Sequence, residues 1–400
     1  MKILILGAND YQVTIILRAK AIGLHTIVCD PRDYMPGIAI ADTFYQVDCF
    51  EVDKIVEIGK KEHVAGVITN SEYLLNAMSL IASKLHLRAL DIETINLFCD
   101  KYLMREHCKR IGINQPAYQY CSNLQEAIAF FKHLKKKCII KPLDNCGSKG
   151  IHSINTQQDL EQHFDDCLSN ACYRSGVLIE EYIEGTEFTI DGIKTSERHH
   201  SLAISEKKHY EHNENIACRL YFSNQNSKYN YSLLRQQNDL LVNSTDIPFS
   251  LTHAEYKFYN GKFYLIEIQA RGGGSFIASD IVPYISGIDV YTKYIEWCVG
   301  KDVTISFTYD ELLERCAVLN FFDSDVDEGI ISSVEGEDVL QDKCIRYALK
   351  FKQGDKITKA ANDAARIGYY IAFDENENGL INIMNNINQN FKIKYSNEKQ

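Results

Sequence analysis

Glu255 and Glu267 stand twelve residues apart, and the second is followed at alternate positions by Gln269 and Arg271, then by three glycines. The stretch around them reads HAEYKFYNGKFYLIEIQARGGGSF. Its pattern predicts a hairpin: an alternating strand ending near Tyr259, a tight Asn260-Gly261 turn, and a second strand from Phe263 to Ile268. Strand side chains alternate, so Glu267, Gln269 and Arg271 share a face. Carboxylate and amide oxygens on paired strands suit Mg²⁺, which takes a few protein oxygens and completes its octahedron with water and phosphate. Mn²⁺ would suit the same donors. The arginine beyond them is a cation for a transferring phosphoryl group. A solvated charged hairpin is the alternative reading of these residues. His253, two residues before Glu255, falls on the same face and is a candidate to orient a substrate or accept a proton from an amine. A structural strand histidine is the other reading.

Two more segments could hold a nucleotide. In IIKPLDNCGSKGI, residues 139–151, Lys141 closes a strand and a loop of small residues follows, with Cys146 and Ser148 inside it and Gly150 near its end. Such a loop can bring backbone N–H groups against phosphate oxygens while the lysine adds a point charge. No G-x-x-x-x-G-K-[ST] run occurs, so this is not a Walker loop, and an ordinary turn fits too. Nothing near Cys146 marks it as a nucleophile. In VLIEEYIEGTEFTID, residues 177–191, a strand ends at Glu180-Glu181, Tyr182-Ile183 follow, and Glu187 restarts a strand after Gly185. An adenine edge can pair with the backbone of such a hinge while a carboxylate takes ribose hydroxyls. A charged hairpin is the plainer alternative.

The elements that must position these groups alternate at first. Strands at Lys2 to Leu6, His25 to Cys29, Phe44 to Val47 and Ala65 to Thr69 interleave with helices at Val13 to Ile22, Val52 to Lys61 and Leu74 to Leu85. That alternation predicts a parallel sheet with its ligand crevice beyond the strand carboxyl ends. Asp30 would be the ribose acid of a dinucleotide fold, but Gly7 is followed by Asn9, Gln12 and Thr14 rather than further fingerprint glycines. Asn9, Asp30 and Asn70 to Glu72 remain candidates to meet a small polar substrate, or plain turn formers and caps. Residues 93–112 read as helical and 112–116 as a linker. A second α/β unit follows, with helices at Gln125 to Lys135 and Gln158 to Ser169 and strands at Cys138 to Lys141, Ile151 to Ile154 and Gly176 to Glu181. From Glu187 the chain is strand-rich. The polar stretch 198–230, with Lys207, Lys208, Arg219 and Tyr221, reads as a mobile cover over a substrate pocket, and Arg219 as a grip on a carboxylate or equally as a solvated surface arginine. His199, His200, His209 and His212 invite a zinc reading, but their spacing matches no structural zinc pattern and no paired cysteines accompany them. Beyond 300 a separate tail opens on a strand at Ala317 to Phe322 and ends in a helix near Leu380.

With 45% hydrophobic and 24% charged residues, 400 residues can build two to four packed units. A net charge of -11 argues against a broad nucleic-acid surface. Thirteen cysteines without a C-x-x-C pair fit a reducing cytoplasm better than a disulfide framework. The opening MKILILGAND is too short an apolar run for a signal peptide, and no run reaches membrane-spanning length, so no membrane partner is expected.

In this order and spacing the segments resemble the ATP-grasp superfamily over roughly residues 1–300. The likeness rests on Lys101 in CDKYLMR, the IKP strand with its loop, the LIEEYIEGTE hinge and the E-x₁₁-E-x-Q-x-R hairpin. The run ARGGGSFIASDIVPYISGIDV and the tail are similar to the carboxylate–amine (amino-acid) ligase branch related to biotin carboxylase and carbamoyl phosphate synthetase. The resemblance implies an α/β chain: an N-terminal parallel-sheet domain at 1–92, a helical linker at 93–114, a small lid subdomain at 115–182, a large α+β subdomain with the metal site at 183–300, and a β-rich C-terminal domain at 301–400. It implies ATP and Mg²⁺, with Lys101, Lys141 and the loop carrying Ser148 and Gly150 on the phosphates. Glu180, Glu181, Tyr182 and Ile183 would meet adenine, Glu187 the ribose, and Glu255, Glu267 and Gln269 the metal. The family usually has Asn-Pro where Gln269 and Ala270 stand; the glutamine keeps an amide oxygen, one methylene further out. Arg271, with backbone amides such as that of Gly273, would stabilise the oxyanion. The implied reaction joins a small-molecule carboxylate to an amine through an acyl phosphate, releasing ADP and phosphate. A bicarbonate-dependent carboxyphosphate-forming enzyme and a non-catalytic nucleotide-binding protein are the alternatives. Relatives of this kind leave a homodimer open.

Overall fold

The computed structural model describes residues 1–145, 147, 149–172, 174–324, 326 and 328–396. The opening KILIL run lacks polar alternation because both of its faces are covered. It forms β1 (Lys2–Leu6), buried from Ile3 onward. Helix α1 (Asp10–Ala21) starts three residues earlier than its apolar pattern predicts, because the Asn9 side chain accepts from the Tyr11 amide and caps it. Strands β2 (His25–Asp30) and β3 (Thr43–Gln46), helix α2 (Val52–Glu62), strand β4 (Gly66–Ile68) and helix α3 (Leu75–Leu85) follow. The four strands pair in parallel in the order β3-β2-β1-β4. The order reverses at β1/β4, so the ligand crevice of this sheet opens past Leu6 and Ile68.

The helical stretch divides at Asp100 into α4 (Ile92–Cys99) and α5 (Lys101–Ile111). The Asp100 carboxylate accepts from the amides of Tyr102 and Leu103, which makes Lys101 the first residue of α5. A small antiparallel sheet comes next, ordered β5-β8-β6-β7: β5 (Tyr118–Cys121), β6 (Cys138–Pro142), β7 (His152–Ile154) and β8 (Val177–Glu181). Helices α6 (Leu124–Leu134) and α7 (Gln157–Ser169) close its core over Cys121, Ile140, Phe164 and Ile179.

The rest of the molecule is built on one eight-stranded sheet, antiparallel throughout. Its strands are β9 (Thr186–Lys194), β10 (His199–Tyr210), β11 (Asn213–Ser223), β12 (Ser250–Tyr259) and β13 (Lys262–Gln269), with α8 (Tyr231–Asn243) between β11 and β12. Helices α9 (Val282–Ser286) and α10 (Val290–Cys298) lead to β14 (Cys316–Phe322), β15 (Glu328–Glu335), α11 (Glu337–Lys343), β16 (Arg346–Leu349), β17 (Lys356–Thr358), β18 (Gly368–Asp374), α12 (Glu377–Asn390) and β19 (Lys392–Ser396). The large sheet runs β13-β12-β9-β10-β11-β14-β18-β16, so it continues across residue 300 without a break. Strands β17-β15-β19 form a small separate sheet.

The stretch 198–230 is therefore not a cover. Most of it is β10 and β11, interior strands flanked by β9 and β14. Leu202, Ile204, Ile216, Leu220 and Phe222 anchor it in the buried cores. Its polar composition misleads because part of it lines a polar cleft. Among the described residues no helix is long and apolar enough to cross a membrane.

Candidate active site

The hairpin forms as its pattern predicts. Asn260 and Gly261 both take positive φ, 46° and 78°, the backbone that a tight two-residue connection between twisted strands demands. In its register Glu255 pairs directly with Glu267, and His253 with Gln269. The pairing shifts by a bulge between Glu255 and Tyr256, a local kink of the kind that re-aims side chains beside sites. Both carboxylates line a cleft of about 370 Å³ between the small sheet and the large one. Lys141, Glu181, Tyr182, Ile183, Glu187, His253, Gln269 and Arg271 line it too, so most of the residues singled out in the sequence meet in one place.

The cations of this cleft are bonded to its carboxylates. Lys101 Nζ donates to the Asn145 carbonyl at 2.7 Å and lies 3.3 Å from Glu267 Oε1. Lys141 Nζ lies 2.8 Å from Glu180 Oε2. Lys207 Nζ donates to Glu187 at 2.5 Å and to Glu255 at 2.9 Å. Arg271 donates from Nη2 and Nε to Glu72 at 2.8 and 3.2 Å, tying the hairpin to the loop after β4. Burial works against ionising Glu267, but the charges of Lys101 and Lys141 hold its carboxyl below the usual range. Glu187 is likewise buried and held well below that range by Lys207, His209 and Lys257. Burial lowers the Lys257 ammonium, with Lys141 and Lys207 adding repulsion. Tyr182 presents its ring to Lys137 and Lys257, whose Nζ atoms lie 3.8 and 4.4 Å from the centroid.

Gln269 is 4% exposed. Its Nε2 donates to Glu267 Oε1 at 2.9 Å, while its Oε1 is buried without a hydrogen-bond partner. An amide oxygen left unsatisfied beside two carboxylates is a donor set that suits a hard divalent cation. His253 Nδ1 lies 3.0 Å from Asp191 Oδ1, and its Nε2 is 4.0 Å from Glu255. Asp191 pairs with His253 across β9 and β12. Sequence reading missed this aspartate, although period-two alternation from Glu187 through Thr189 puts it on the cleft face.

Several expectations need correction. Glu180 borders the cleft beside Glu181, Tyr182 and Ile183, but its side chain is fully buried, bonded to Arg105 Nε at 2.5 Å and to Lys141, so only its backbone is left to meet a ligand. Burial opposes its charge, yet the two cations bring its carboxyl down to about 2. It holds Lys141 in place. The Gly273 amide donates to Asp191 Oδ1 at 2.9 Å, so it is not aimed at an oxyanion. A side chain at Gly273 would press on Asp191 and on His253, which explains the glycine. At Gly150, φ 68°, a side chain would press on Pro142 and Asn170, while Gly147 of the same loop lines the cleft. Ser148 and Cys146 lie outside the described residues. Arg219 donates to Asn320 Oδ1 and borders a different surface groove, so it grips nothing in this cleft. The four histidines disperse: His199 bonds Asp239 and Thr252, His200 lies edge-on to Phe307, His209 approaches Glu187, and His212 approaches Asp323. Asp30 accepts from the Ala8 amide and from Arg32, which occupies the carboxylate a dinucleotide ribose would need.

Residues 134–280 match the family model described as ATP-grasp domain. Formate-dependent phosphoribosylglycinamide formyltransferase of Sulfurisphaera tokodaii is 24% identical over 186 residues, 46% of this chain and 47% of that protein. The match thus spans about half the length of such curated relatives. The structure of L-amino acid ligase from Bacillus licheniformis superposes over 99% of both chains at TM-score 0.85 and 18% identity. The biotin carboxylase domain of Hydrogenobacter thermophilus 2-oxoglutarate carboxylase, solved with MgADP and bicarbonate, covers 98% of this chain and 90% of its own at TM-score 0.75 and 15% identity. The chain carries an ATP-grasp domain, set in a fold that these solved structures share along nearly its whole length.

Proposed function

We propose that the protein is an ATP-dependent ligase that joins a small-molecule carboxylate to an amine through an acyl phosphate, releasing ADP and phosphate. The observation that carries this reading is the facing pair Glu255 and Glu267 with the unpartnered Gln269 oxygen, ringed by Lys101, Lys141 and Arg271. Its likeness to an L-amino acid ligase over the full chain supports the same class. These oxygens fit Mg²⁺, which when bound would offset charge on the triphosphate.

Lys101, Lys141 and Arg271 would exchange their carboxylate partners for phosphate oxygens. The substrate carboxylate oxygen attacks the γ-phosphorus and ADP leaves. The amine nitrogen then attacks the acyl carbon, the C–N bond forms, and phosphate departs with the C–O electrons. Arg271 is the donor for the developing oxyanion, since the Gly273 amide is already engaged. His253, oriented by Asp191, takes the amine proton. The small sheet, closing over the cleft, keeps water from the acyl phosphate.

The test is ADP and phosphate release from Mg·ATP across a matrix of carboxylates, amines and bicarbonate, with Glu267→Gln as control. Release that needs one carboxylate and one amine, and that falls by about 100-fold or more in the variant, is expected. Release driven by bicarbonate alone would move the protein to the carboxyphosphate branch. Bound ATP with no turnover across the matrix would sink the ligase reading.

A further inference from the structure

Beyond the carboxylate hairpin the cleft turns apolar. Ala217, Leu220, Leu319 and Phe321 line it together with Ile277, three residues past the glycine run, and all five belong to one buried cluster. Over this wall lies Arg366, its guanidinium carbon 3.8 Å from the centre of the Phe321 ring. The side chain is 9% exposed. Its Nη2 donates to the Ala217 carbonyl at 2.8 Å and lies 2.8 Å from Asp363 Oδ1. Its Nε is buried without an acceptor. Asp363 is 40% exposed, so water screens the carboxylate that the guanidinium pairs with.

A guanidinium set among apolar groups with an unused donor is costly unless something supplies an acceptor. Its planar fork fits a carboxylate better than any neutral group. Arg271 and the lysines serve the phosphoryl end of the cleft. Arg366 lines the cleft at this apolar wall, over Phe321 and against Ala217, and its ion pair is with Asp363 rather than with the carboxylates that hold Lys101, Lys141 and Arg271, so the anion it would hold is distinct from the one that is phosphorylated. Resting on the ligase reading, we propose that Arg366 binds the non-reacting carboxylate of the amine substrate, whose apolar side chain lies against Leu220, Leu319 and Phe321. The nucleophile is then an apolar α-amino acid or a similar amino-carboxylate, not a simple amine.

The experiment compares L-alanine, L-leucine and L-methionine with their carboxamides as nucleophiles, in the wild type, Arg366→Met and Arg366→Lys. Turnover is read as ADP release with the product identified by mass. Binding of the same compounds is read by calorimetry, without turnover. The wild type should prefer the free acids. In Arg366→Met, kcat/KM and affinity for the free acids should fall about 10–100-fold, with the carboxamides changed less than about threefold. Arg366→Lys should recover part of the preference. Thermal melts check that each variant folds. Equal losses for acids and carboxamides, a loss confined to the acyl donor, or no saturable binding of any probe would overturn the proposal. If acids bind in an Arg366-dependent way without turnover, the ligase reading falls and this site stands. If turnover is seen and is indifferent to Arg366, the reverse holds.

Discussion

At the scale of single residues, the polar groups of the cleft are paired so that each fixes another. Asp191 accepts from the Gly273 amide and orients His253, so Asp191→Asn should disturb the imidazole without touching nucleotide contacts. We expect kcat to fall about 10–100-fold with the KM for ATP nearly unchanged, measured by steady-state kinetics at saturating Mg²⁺. Gln269→Leu removes the unpartnered oxygen, and the Mg²⁺ concentration giving half-maximal rate should rise about tenfold, with magnesium titrations as the check. The paired carboxylates, Gln269 and Arg271 were legible in the sequence because alternation and an Asn-Gly turn fix which strand residues share a face. Lys257 and Arg366 were not, because their partners come from strands or turns distant in the chain.

At the scale of elements, Arg105 works as a hub. It rises from α5, donates from Nε to Glu180 on β8, and donates from Nη2 to the Ile266 carbonyl on β13 at 2.7 Å. One buried guanidinium thereby joins a helix, the small sheet and the carboxylate hairpin. Removing one partner of such a buried pair strands the other charge, so Arg105→Met should cost about 3–5 kcal/mol in urea unfolding. The same pair predicts a pH response. The Glu180 carboxyl sits lower in the folded chain, at about 2, than its ordinary 4.5. Its contribution to stability is complete above pH 4.5 and is lost as pH falls toward 2. The decline in melting temperature across that window should be shallower in Glu180→Gln than in the wild type. The apolar run of β8 and its closing glutamates were readable, but the buried pairing of the Glu180 side chain was not, because nothing local announces an arginine 75 residues upstream.

At the scale of the whole molecule, the parallel βα alternation and the strand-rich middle were readable from apolar runs. The continuity of the large sheet past residue 300 was not, since antiparallel neighbours so far apart leave no local trace. Strand β14 covers the C-terminal half of β11, pairing Arg219 with Asn320 through Ser223 with Cys316. A chain ended at Gly300 would bare that edge and the Leu220 and Phe222 side chains beneath it. We expect such a truncation to lose cooperative unfolding and to aggregate, checked by thermal denaturation and by the soluble fraction on expression.

Lys101, Lys141 and Arg271 already hold carboxylates, and on the ligase reading this has a thermodynamic consequence. A polyphosphate entering there would compete with Glu267, Glu180 and Glu72 for their cations; Glu180 keeps Arg105, while Glu267 and Glu72 would be left seeking a new counter-charge. Glu267 sits where a divalent ion can answer that need. Nucleotide and metal should therefore show positive heterotropic coupling, each tightening the other's affinity by the same factor, with metal-free ATP as the poorer ligand.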